Sequence, residues 1–336
     1  MIKDYKEHSL LSHNTFGIDV QAARYIDFST EDELSALLQS GTAGESPLVI
    51  GGGSNLLFVG DYHGTVLHSS ISDISIIAEN DEDVFLRVGS GVNWDLLVEY
   101  TVNNGWYGLE NLSLIPGEVG ASAVQNVGAY GVEAGDLITE IEALAIKDGA
   151  KTVFLNGDCN YGYRTSIFKR EEKGKYVITY VTFNLKKSAG FRLGYGNLKE
   201  RVESLGGATL ANVRKAVCEI RSEKLPDPLV TGSAGSFFMN PVVPGEKAAE
   251  LAEKYPAMPQ YKVADGVKLS AGWLIEQCGW KDTPHERVGV YKHQALVVIN
   301  RGGATGADVL AFATAVCRSV EERFGVELKM EVNVIE

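Results

Sequence analysis

Apolar and polar residues follow two periods along this chain, and each period predicts a different kind of element. Short apolar runs and two-residue alternation predict strands at residues 48–50, 84–88, 176–185, 295–300 and 326–334. Apolar residues spaced three and four apart predict helices after Thr30, after Asn93, and near residues 209–224, 246–254, 270–278 and 306–324. The pattern is that of an α+β protein.

Capping residues and turn residues define several of these boundaries. Thr30 with Glu33 three positions later is a capping box, and Asn93 is a second N-cap. Asp148-Gly149 lies between two apolar stretches of residues 138–155, which predicts a hairpin with a type I′ turn. We therefore expect a mixed or antiparallel sheet in the middle of the chain. In the last strand, Glu331 falls on the face opposite to the apolar residues, where a solvated carboxylate is the usual outcome.

The helix near residues 209–224 has an apolar stripe that continues into two cations. Leu210, Val213 and Val217 lie on one face, and Arg221 and Lys224 extend the same face. Either both cations point toward a site, or the helix end is solvated and both are exposed. The prolines after Lys224 end the helix and mark a domain boundary.

Composition and charge exclude several classes of protein. The chain has 336 residues, 45% of them hydrophobic and 22% charged, which is typical of a soluble globular protein of more than one domain. A formal net charge of −13 argues against nucleic-acid and membrane-surface binding. No apolar run approaches the ~20 residues of a membrane span. We expect a cytoplasmic protein, with four dispersed cysteines that form neither disulfides nor a metal site.

The stretch PLVIGGGSNLL, residues 47–57, is the first candidate for binding chemistry. A buried strand leads directly into three consecutive glycines, followed by Ser54 and Asn55. Without Cβ atoms the backbone can turn sharply and point several amide N–H groups at one diphosphate. The spacing is not the GxGxxG of a Rossmann fold, and a glycine-rich loop without a ligand is the alternative.

A second glycine-rich segment, IPGEVGASAVQNVGAYGVE at residues 115–133, strengthens the first. Its glycines are interleaved with small or amide residues, so the segment can lie flat against a planar ligand. Gln125 and Asn126 have amides suited to a ring edge, while Ser122 and the backbone suit phosphate oxygens. Together the two segments predict a site for a dinucleotide.

Several motifs carry a family resemblance over nearly the whole chain. VIGGGSNLL and IPGEVGASAVQNVGAYGVE, with HNTFGI, YGYRTSIFK, GSAGSFFMNP and HQALVVIN, resemble the type I UDP-N-acetylenolpyruvoylglucosamine reductases, which have the vanillyl-alcohol-oxidase or PCMH-type FAD-binding fold. The resemblance implies a two-subdomain FAD-binding module and a C-terminal α+β substrate-binding domain. The expected ranges are 1–72 joined by a C-terminal strand at 325–336, then 73–224 with a tyrosine loop near 190–197, then 225–324.

The same resemblance implies a reaction. In the family NADPH reduces FAD, and a hydride then reaches the enolpyruvyl ether of UDP-N-acetylglucosamine. We expect the FAD to be non-covalent here, because residues 51–55 contain no histidine or cysteine that could tether it. By resemblance, Arg164 and Glu331 stabilise the negative charge that develops at the substrate carboxylate, and Ser236 donates the proton. Read alone, Arg164 would be a surface ion-pair residue and Ser236 a turn hydroxyl.

Binding residues also follow from the resemblance. Those expected at FAD are Gly51, Gly52, Gly53, Ser54, Asn55, Pro116, Gly117, Gly120, Ala121, Ser122, Gln125, Asn126, Gly128 and Arg221. Those expected at the UDP-sugar are Tyr195, Lys224, Asn240, Lys281 and Gln294. Two positions depart from the family pattern: Met239 stands where a lysine often occurs, and Asn333 where an arginine can occur.

Two alternatives remain open from the sequence. A related FAD-dependent oxidase of the same fold would pass electrons to oxygen and often tethers its flavin through histidine, which the loop at residues 51–55 lacks. A non-catalytic UDP-sugar or nucleotide-binding protein would need none of Arg164, Ser236 and Glu331. In each case we expect a monomer with a small-molecule ligand.

Overall fold

The computed structural model describes residues 1–281 and 286–336. Its strands are β1 (Lys3–Ser9), β2 (Gln21–Phe28), β3 (Leu48–Ile50), β4 (Leu56–Phe58), β5 (Tyr62–Ser69), β6 (Ile74–Glu79), β7 (Asp83–Gly89), β8 (Gly128–Ala129), β9 (Val132–Glu133), β10 (Ile138–Ala145), β11 (Lys151–Leu155), β12 (Tyr176–Lys186), β13 (Gly232–Ser233), β14 (Val242–Val243), β15 (Gln260–Val263), β16 (Gly266–Leu269), β17 (Val288–Tyr291), β18 (Gln294–Asn300) and β19 (Asn333–Ile335). Its α-helices are α1 (Glu31–Gln39), α2 (Trp94–Asn103), α3 (Val119–Gln125), α4 (Leu198–Ser204), α5 (Leu210–Lys224), α6 (Gly245–Lys254), α7 (Ala271–Gln277) and α8 (Gly306–Phe324).

These elements form two compact units, each built from several chain segments. The first unit contains Met1–His8, Ala22–Gly52 and His63–Arg221. The second contains Ser9–Gln21, Gly53–Tyr62 and Ser222–Glu336. The chain passes between the units within the glycine loop, after Gly52. The three domain ranges given above remain predictions.

A five-stranded antiparallel sheet forms the centre of the first unit. Its strand order is β11-β10-β12-β7-β6, which confirms the antiparallel arrangement expected for the middle of the chain. Alternate residues of β7, namely Val84, Leu86 and Val88, are fully buried in a core that also takes Trp94 and Leu97 of α2. The two-residue period of β7 therefore places one face on the core.

A smaller sheet of order β1-β2-β5-β3 completes the first unit, with β3 parallel to β5. Helix α1 packs Leu34, Leu37 and Leu38 into a second core beside this sheet. The Thr30 side chain accepts from the Glu33 amide, as predicted, but Glu33 in return accepts from the amide of Ser29 at 2.9 Å rather than from that of Thr30. The predicted N-cap is confirmed, but the amide that donates to Glu33 is that of Ser29, one residue before the N-cap.

The hairpin of β10 and β11 is confirmed, but the predicted type I′ turn is wrong. Ala145 donates to the Ala150 carbonyl at 2.9 Å, so the connection spans residues 146–149 instead of two residues. A type I′ turn needs positive φ at both central residues, and only Gly149 has it, at +71°. The Asp148 carboxylate instead accepts from the Ala150 amide at 3.0 Å, which stabilises the longer loop.

Helix α5 confirms the apolar stripe and separates the two cations that follow it. Leu210, Val213 and Val217 are buried. Arg221 is partly buried and donates through Nε to the Leu114 carbonyl at 3.1 Å, whereas Lys224 is exposed. The prediction that both cations point toward a site is therefore correct for Arg221 only, because Lys224 at the end of the helix faces solvent.

The second unit combines three small sheets with helices α6 to α8. The sheet orders are β13-β18-β17 and β14-β16-β15, and β19 pairs in parallel with β4. Helix α8, predicted at residues 306–324, begins with a capping box of Thr305 and Asp308 and ends at Gly325, whose φ of +62° is left-handed. No helix in the described part of the chain combines the length and apolarity required to cross a membrane.

The C-terminal segment pairs over a shorter length than its alternation predicts. Val326, Leu328 and Val332 are buried, so the alternation of sides is confirmed. Ladder pairing is nevertheless confined to β19, with one isolated bridge between Met330 and Phe238. Alternation reports which side of the segment packs on the core, and it does not require a neighbouring strand along the full length.

Candidate active site

The glycine loop and the start of α3 form a close-packed cradle in the first unit. A Cβ on Gly51 would lie 3.1 Å from Glu118 Oε2 and 3.2 Å from Ala121 Cβ, and one on Gly52 would lie 3.4 Å from Gly117 Cα. The two glycine-rich segments therefore meet, as expected if both serve one ligand. At the helix start the amides of Val119 and Gly120 donate to the carbonyls of Val92 and Ser90, so the missing side chains serve the close approach of the two backbones.

The two side-chain amides near the end of α3 differ in whether they keep a hydrogen-bond donor that a ligand could use. Gln125 has a buried Nε2 with no hydrogen-bond partner in the described part of the chain, so it retains a donor for a ligand. Asn126 uses both of its N–H groups within the protein, and the Ser122 hydroxyl donates to the Val119 carbonyl at 2.7 Å. Gln125 is thus the side chain best placed to meet a ring edge.

A charged cluster that the sequence did not predict lies beside the cradle. His68 of β5 has Nε2 3.0 Å from Glu118 Oε1, and its Nδ1 lies 3.6 Å from Asp27 Oδ1. Lys3 lies 3.5 Å from Asp27, and the ring of Tyr25 stacks on His68 at 6.1 Å. The only signal was Glu118 itself, one of the two charges in the second glycine-rich segment.

The two carboxylates keep His68 protonated at neutral pH. Burial opposes the charged imidazole, but the interactions with Asp27 and Glu118 outweigh it and raise the pKa of His68 to about 9. The pKa of Asp27 is lowered: burial opposes this shift, but hydrogen bonding to His68 outweighs it. The imidazolium therefore offsets the negative charge of Glu118 beside a loop that is expected to receive a diphosphate.

This arrangement predicts a loss of stability at alkaline pH. Because the pKa of His68 is higher in the folded protein than the ordinary 6.5, its contribution is complete below about pH 6.5 and disappears as pH rises through about 9. A shift of this size corresponds to about 3 kcal/mol. Urea unfolding between pH 6.5 and pH 10 should show this loss for the wild type and a shallower slope for His68→Gln.

His63 provides the matched control for this measurement, because it lies on the same strand with an exposed side chain. His63→Gln should keep the wild-type slope. Equal slopes for the wild type and His68→Gln would mean that His68 is not charged in the folded protein.

Arg164 lies in the two-residue loop of a tight hairpin. Gly162 and Thr165 exchange two backbone hydrogen bonds of 3.1 Å, and Arg164 between them has a φ of +57°. A left-handed conformation is uncommon for a residue with a Cβ and is frequently found at functional sites. Its Nη1 would be 3.4 Å from a Cβ on Gly128, so the guanidinium lies against the second glycine-rich segment.

Arg221 and two tyrosines lie in the same unit as Arg164. Burial, opposed by Tyr130 and reinforced by the nearby charge of Arg164, lowers the pKa of Arg221. The ring of Tyr130, whose φ is +50°, meets the ring of Tyr195 edge to face at 5.9 Å. Tyr195 is nonetheless 61% exposed, which suits a loop residue that a ligand can contact. The charges and rings together make a surface suited to an anion.

In the second unit, Ser236 and Glu331 lie on neighbouring segments. The Glu331 amide donates to the Phe237 carbonyl at 2.8 Å, and Phe238 bridges to Met330. Ser236 precedes these two buried phenylalanines and is itself partly exposed. Glu331 is partly buried rather than fully solvated. The backbone therefore brings two of the three predicted catalytic residues together.

Asn55, which belongs to the second unit, is hydrogen-bonded to the C-terminal segment of that same unit. Its Nδ2 donates to the Glu331 carbonyl at 3.2 Å, and its own carbonyl accepts from the Asn333 amide at 3.0 Å. Asn333, which departs from the family pattern, donates a second bond to that carbonyl through Nδ2 at 3.2 Å. The departure thus contributes a contact that holds the segment carrying Glu331.

The predicted substrate residues of the second unit have different surroundings. Asn240 Oδ1 accepts from the Ala271 amide at 3.0 Å, and Gln294 Oε1 would be 3.2 Å from a Cβ on Gly272, so both lie at the start of α7. Lys281 pairs with Glu276 at 2.7 Å and would have to exchange that carboxylate for a phosphate. Lys224 is exposed at the end of α5.

Comparison with known proteins identifies the class of this protein. Residues 22–153 match a family model described as an FAD binding domain. Residues 227–335 match one described as the C-terminal domain of UDP-N-acetylenolpyruvoylglucosamine reductase. With the glycine cradle and the α+β fold, these matches define a flavoprotein with a separate C-terminal domain, and the predicted fold class is confirmed.

Full-length relatives identify the family. A UDP-N-acetylenolpyruvoylglucosamine reductase of Bacteroides fragilis (strain YCH46) is 53% identical over 331 residues, which are 98% of this chain and 99% of the relative. One of Porphyromonas gingivalis (strain ATCC 33277) is 46% identical over 98% of both chains. The chain belongs to the UDP-N-acetylenolpyruvoylglucosamine reductase family. The crystal structure of the reductase from Thermus caldophilus matches its fold with a TM-score of 0.69 at 22% identity, over 100% of this chain and 99% of that one.

Proposed function

We propose that this protein reduces the enolpyruvyl ether of UDP-N-acetylglucosamine to UDP-N-acetylmuramate, a step of peptidoglycan precursor synthesis, with NADPH as reductant. The observation that supports it most directly is the full-length identity to reductases of that name. The glycine cradle, the Arg164 hairpin and the Ser236–Glu331 pair are the residues of this chain that would perform it. A simple nucleotide-binding protein would need only the first of these.

The residues of the cradle fit FAD. Gly51 and Gly52 lie against Gly117 and Ala121 without side chains between them, and Gln125 keeps a buried N–H donor available. The cradle offers no histidine or cysteine at residues 51–55, so the binding would be non-covalent. When bound, FAD supplies hydride transfer from NADPH to the β-carbon of the substrate.

The side chains around the reacting atoms would stabilise charge and deliver a proton. Arg164 would direct its planar guanidinium at the substrate carboxylate, which gains negative charge as the β-carbon is reduced. Glu331 would serve the same group in its protonated form or through an intermediary. Ser236 would donate its hydroxyl proton to the α-carbon, which completes the saturated lactyl ether.

The UDP portion of the substrate would be held by residues outside this centre. Lys224 and Lys281 would supply positive charge to the diphosphate in a chain of net charge −13. Tyr195 would cover the substrate from the loop at residues 190–197, while Asn240 and Gln294 would offer amide groups. The monomeric state and the cytoplasmic location also remain predictions.

Anaerobic spectroscopy of the purified protein tests the proposed function. The protein should be yellow, lose its colour with NADPH, and regain it when the enolpyruvyl UDP-sugar is added. Denaturation should release the flavin, since nothing tethers it. A protein that regains its colour only with oxygen would be an oxidase, and a colourless protein that binds the UDP-sugar would be a binding protein.

A further inference from the structure

Asn126 occupies a position from which it reaches two separate segments of the first unit. It follows the last residue of α3, has a φ of +48°, and its side chain is 1% exposed. Its Nδ2 donates to Glu133 Oε2 at 2.7 Å and to the Gly162 carbonyl at 2.9 Å, and its Oδ1 accepts from the Gly135 amide at 2.8 Å. Both N–H groups are therefore used within the protein.

The Gly162 carbonyl is the contact that connects Asn126 with the chemistry. This same carbonyl accepts from Thr165 and closes the hairpin that presents Arg164. A side-chain bond to it fixes the base of a loop only two residues long, so any tilt of the base would displace the guanidinium. The left-handed φ of Arg164 adds strain, which persists only where the surroundings hold the loop in place.

A second hydrogen bond from the hairpin reaches the same end of α3. Ser166, which is fully buried, donates through Oγ to the Val124 carbonyl at 2.7 Å. The two bonds leave the hairpin on either side of Arg164, at residues 162 and 166. The first turn of α3 lies at the glycine cradle, so this short helix spans from the cradle to the hairpin.

We propose that Asn126 is a positioning residue, which holds the Arg164 hairpin to the end of α3 and thereby fixes Arg164 relative to the glycine cradle. The role given to Arg164 rests on the proposed function, whereas the positioning itself does not. Because the side-chain and backbone N–H groups of Asn126 all donate within the protein, the cofactor contact predicted from the sequence would have to use its backbone carbonyl or the second lone pair of Oδ1.

Asn126→Asp tests the proposal because it keeps the shape and the acceptor while it removes both donors. Decolouration by NADPH should stay within about threefold of the wild-type rate, whereas the return of colour with the enolpyruvyl UDP-sugar should slow by at least ~10-fold at pH 8. At pH 6 part of the loss should return, because the introduced carboxyl group lies beside Glu133 Oε2, and two neighbouring carboxylates can share one proton and cease to repel each other. Ser166→Ala, a smaller change, should slow the same half-reaction to a lesser degree.

Asn156→Asp is the matched control. Its Nδ2 also donates to two carbonyls, those of Gly135 at 2.8 Å and Ile138 at 2.7 Å, but it does not contact the hairpin in the described structure. Asn156→Asp should affect both half-reactions alike and show no recovery at pH 6, because its introduced carboxyl group faces two carbonyls and has no carboxylate partner with which to share a proton. The same pattern in Asn126→Asp, or its loss of FAD, would overturn the proposal.

Hydrogen exchange measured by mass spectrometry provides a readout that does not depend on the reaction. A peptide covering residues 160–167 should exchange faster in Asn126→Asp than in the wild type or Asn156→Asp. The Thr165 amide donates to the Gly162 carbonyl, and the variant no longer holds that carbonyl in place. Unchanged exchange would exclude the positioning role. Faster exchange in a protein whose wild-type form never regains colour with the UDP-sugar would support positioning and reject the proposed function.

Discussion

Gly53→Ala is expected to lower the free energy of unfolding by about 3 kcal/mol or more, or to prevent folding. A Cβ at this position would lie 1.9 Å from the His13 carbonyl oxygen and 2.8 Å from Asn14 Cα. These are backbone atoms of the same unit, so no side chain can rotate away to relieve the clash. The φ of +62° adds a further cost for any residue with a Cβ.

Two other glycines of the same unit separate the two causes. Gly17 has a φ of +63° with nothing within 4 Å of a Cβ, whereas Gly60 has open space and no positive φ. Gly17→Ala should cost about 1 kcal/mol, and Gly60→Ala should be neutral or slightly stabilising. Urea unfolding of the three variants measures the series. A Gly53→Ala protein as stable as Gly17→Ala would mean that the loop can move away from His13.

The three glycines of the loop were found from sequence, but their separate reasons were not. The sequence shows three consecutive glycines at residues 51–53 and predicts a loop whose backbone can turn sharply and approach another segment closely. That Gly51 is limited by Glu118 and Gly53 by His13 depends on residues about 70 and 40 positions away. Local sequence reports conformational freedom, while close approach depends on which distant segment packs there.

A helix or strand could be predicted from the sequence where the local signals were sufficient and agreed with one another. Helix α8 has a capping box, a continuous apolar face and a terminal glycine, and all three agree. The turn after β10 could not be predicted correctly, because Asp-Gly is compatible both with a two-residue turn and with the longer loop that forms at residues 146–149. Pairing between β10 and β11 decides between the two, and that pairing is not encoded in the dipeptide.

In the candidate site, too, the features that depend on distant residues were the ones that the sequence did not predict. Resemblance predicts roles for Arg164, Ser236 and Glu331, but it gives no indication of the contact between Asn126 and the Arg164 hairpin. Asn126 has partners at residues 133, 135 and 162, and a buried amide looks identical in sequence whether it meets a ligand or the protein. The charge of His68 was hidden for the same reason, because both of its carboxylates come from other segments.

Ser236→Ala is expected to slow the second half-reaction by at least ~10²-fold, the lower end of what a positioned general acid contributes. Reduction by NADPH requires no proton at the α-carbon, so decolouration should keep the wild-type rate. The backbone after Ser236 is fixed, since the Phe237 amide donates to the Leu296 carbonyl at 2.7 Å. Before it, Gly235 has a φ of +67° and open space where a Cβ would be, which leaves room for a substrate carbon.

Stopped-flow measurement of colour return under anaerobic conditions distinguishes the chemical role from a structural one. Ser236→Cys keeps a transferable proton and should recover part of the loss, whereas the alanine variant should not. Ser233→Ala is the matched control, because Ser233 lies three residues earlier in the same segment and is 4% exposed. It should leave the rate of colour return unchanged. If Ser236→Ala regains colour at the wild-type rate, Ser236 is only a turn hydroxyl and another group must supply the proton.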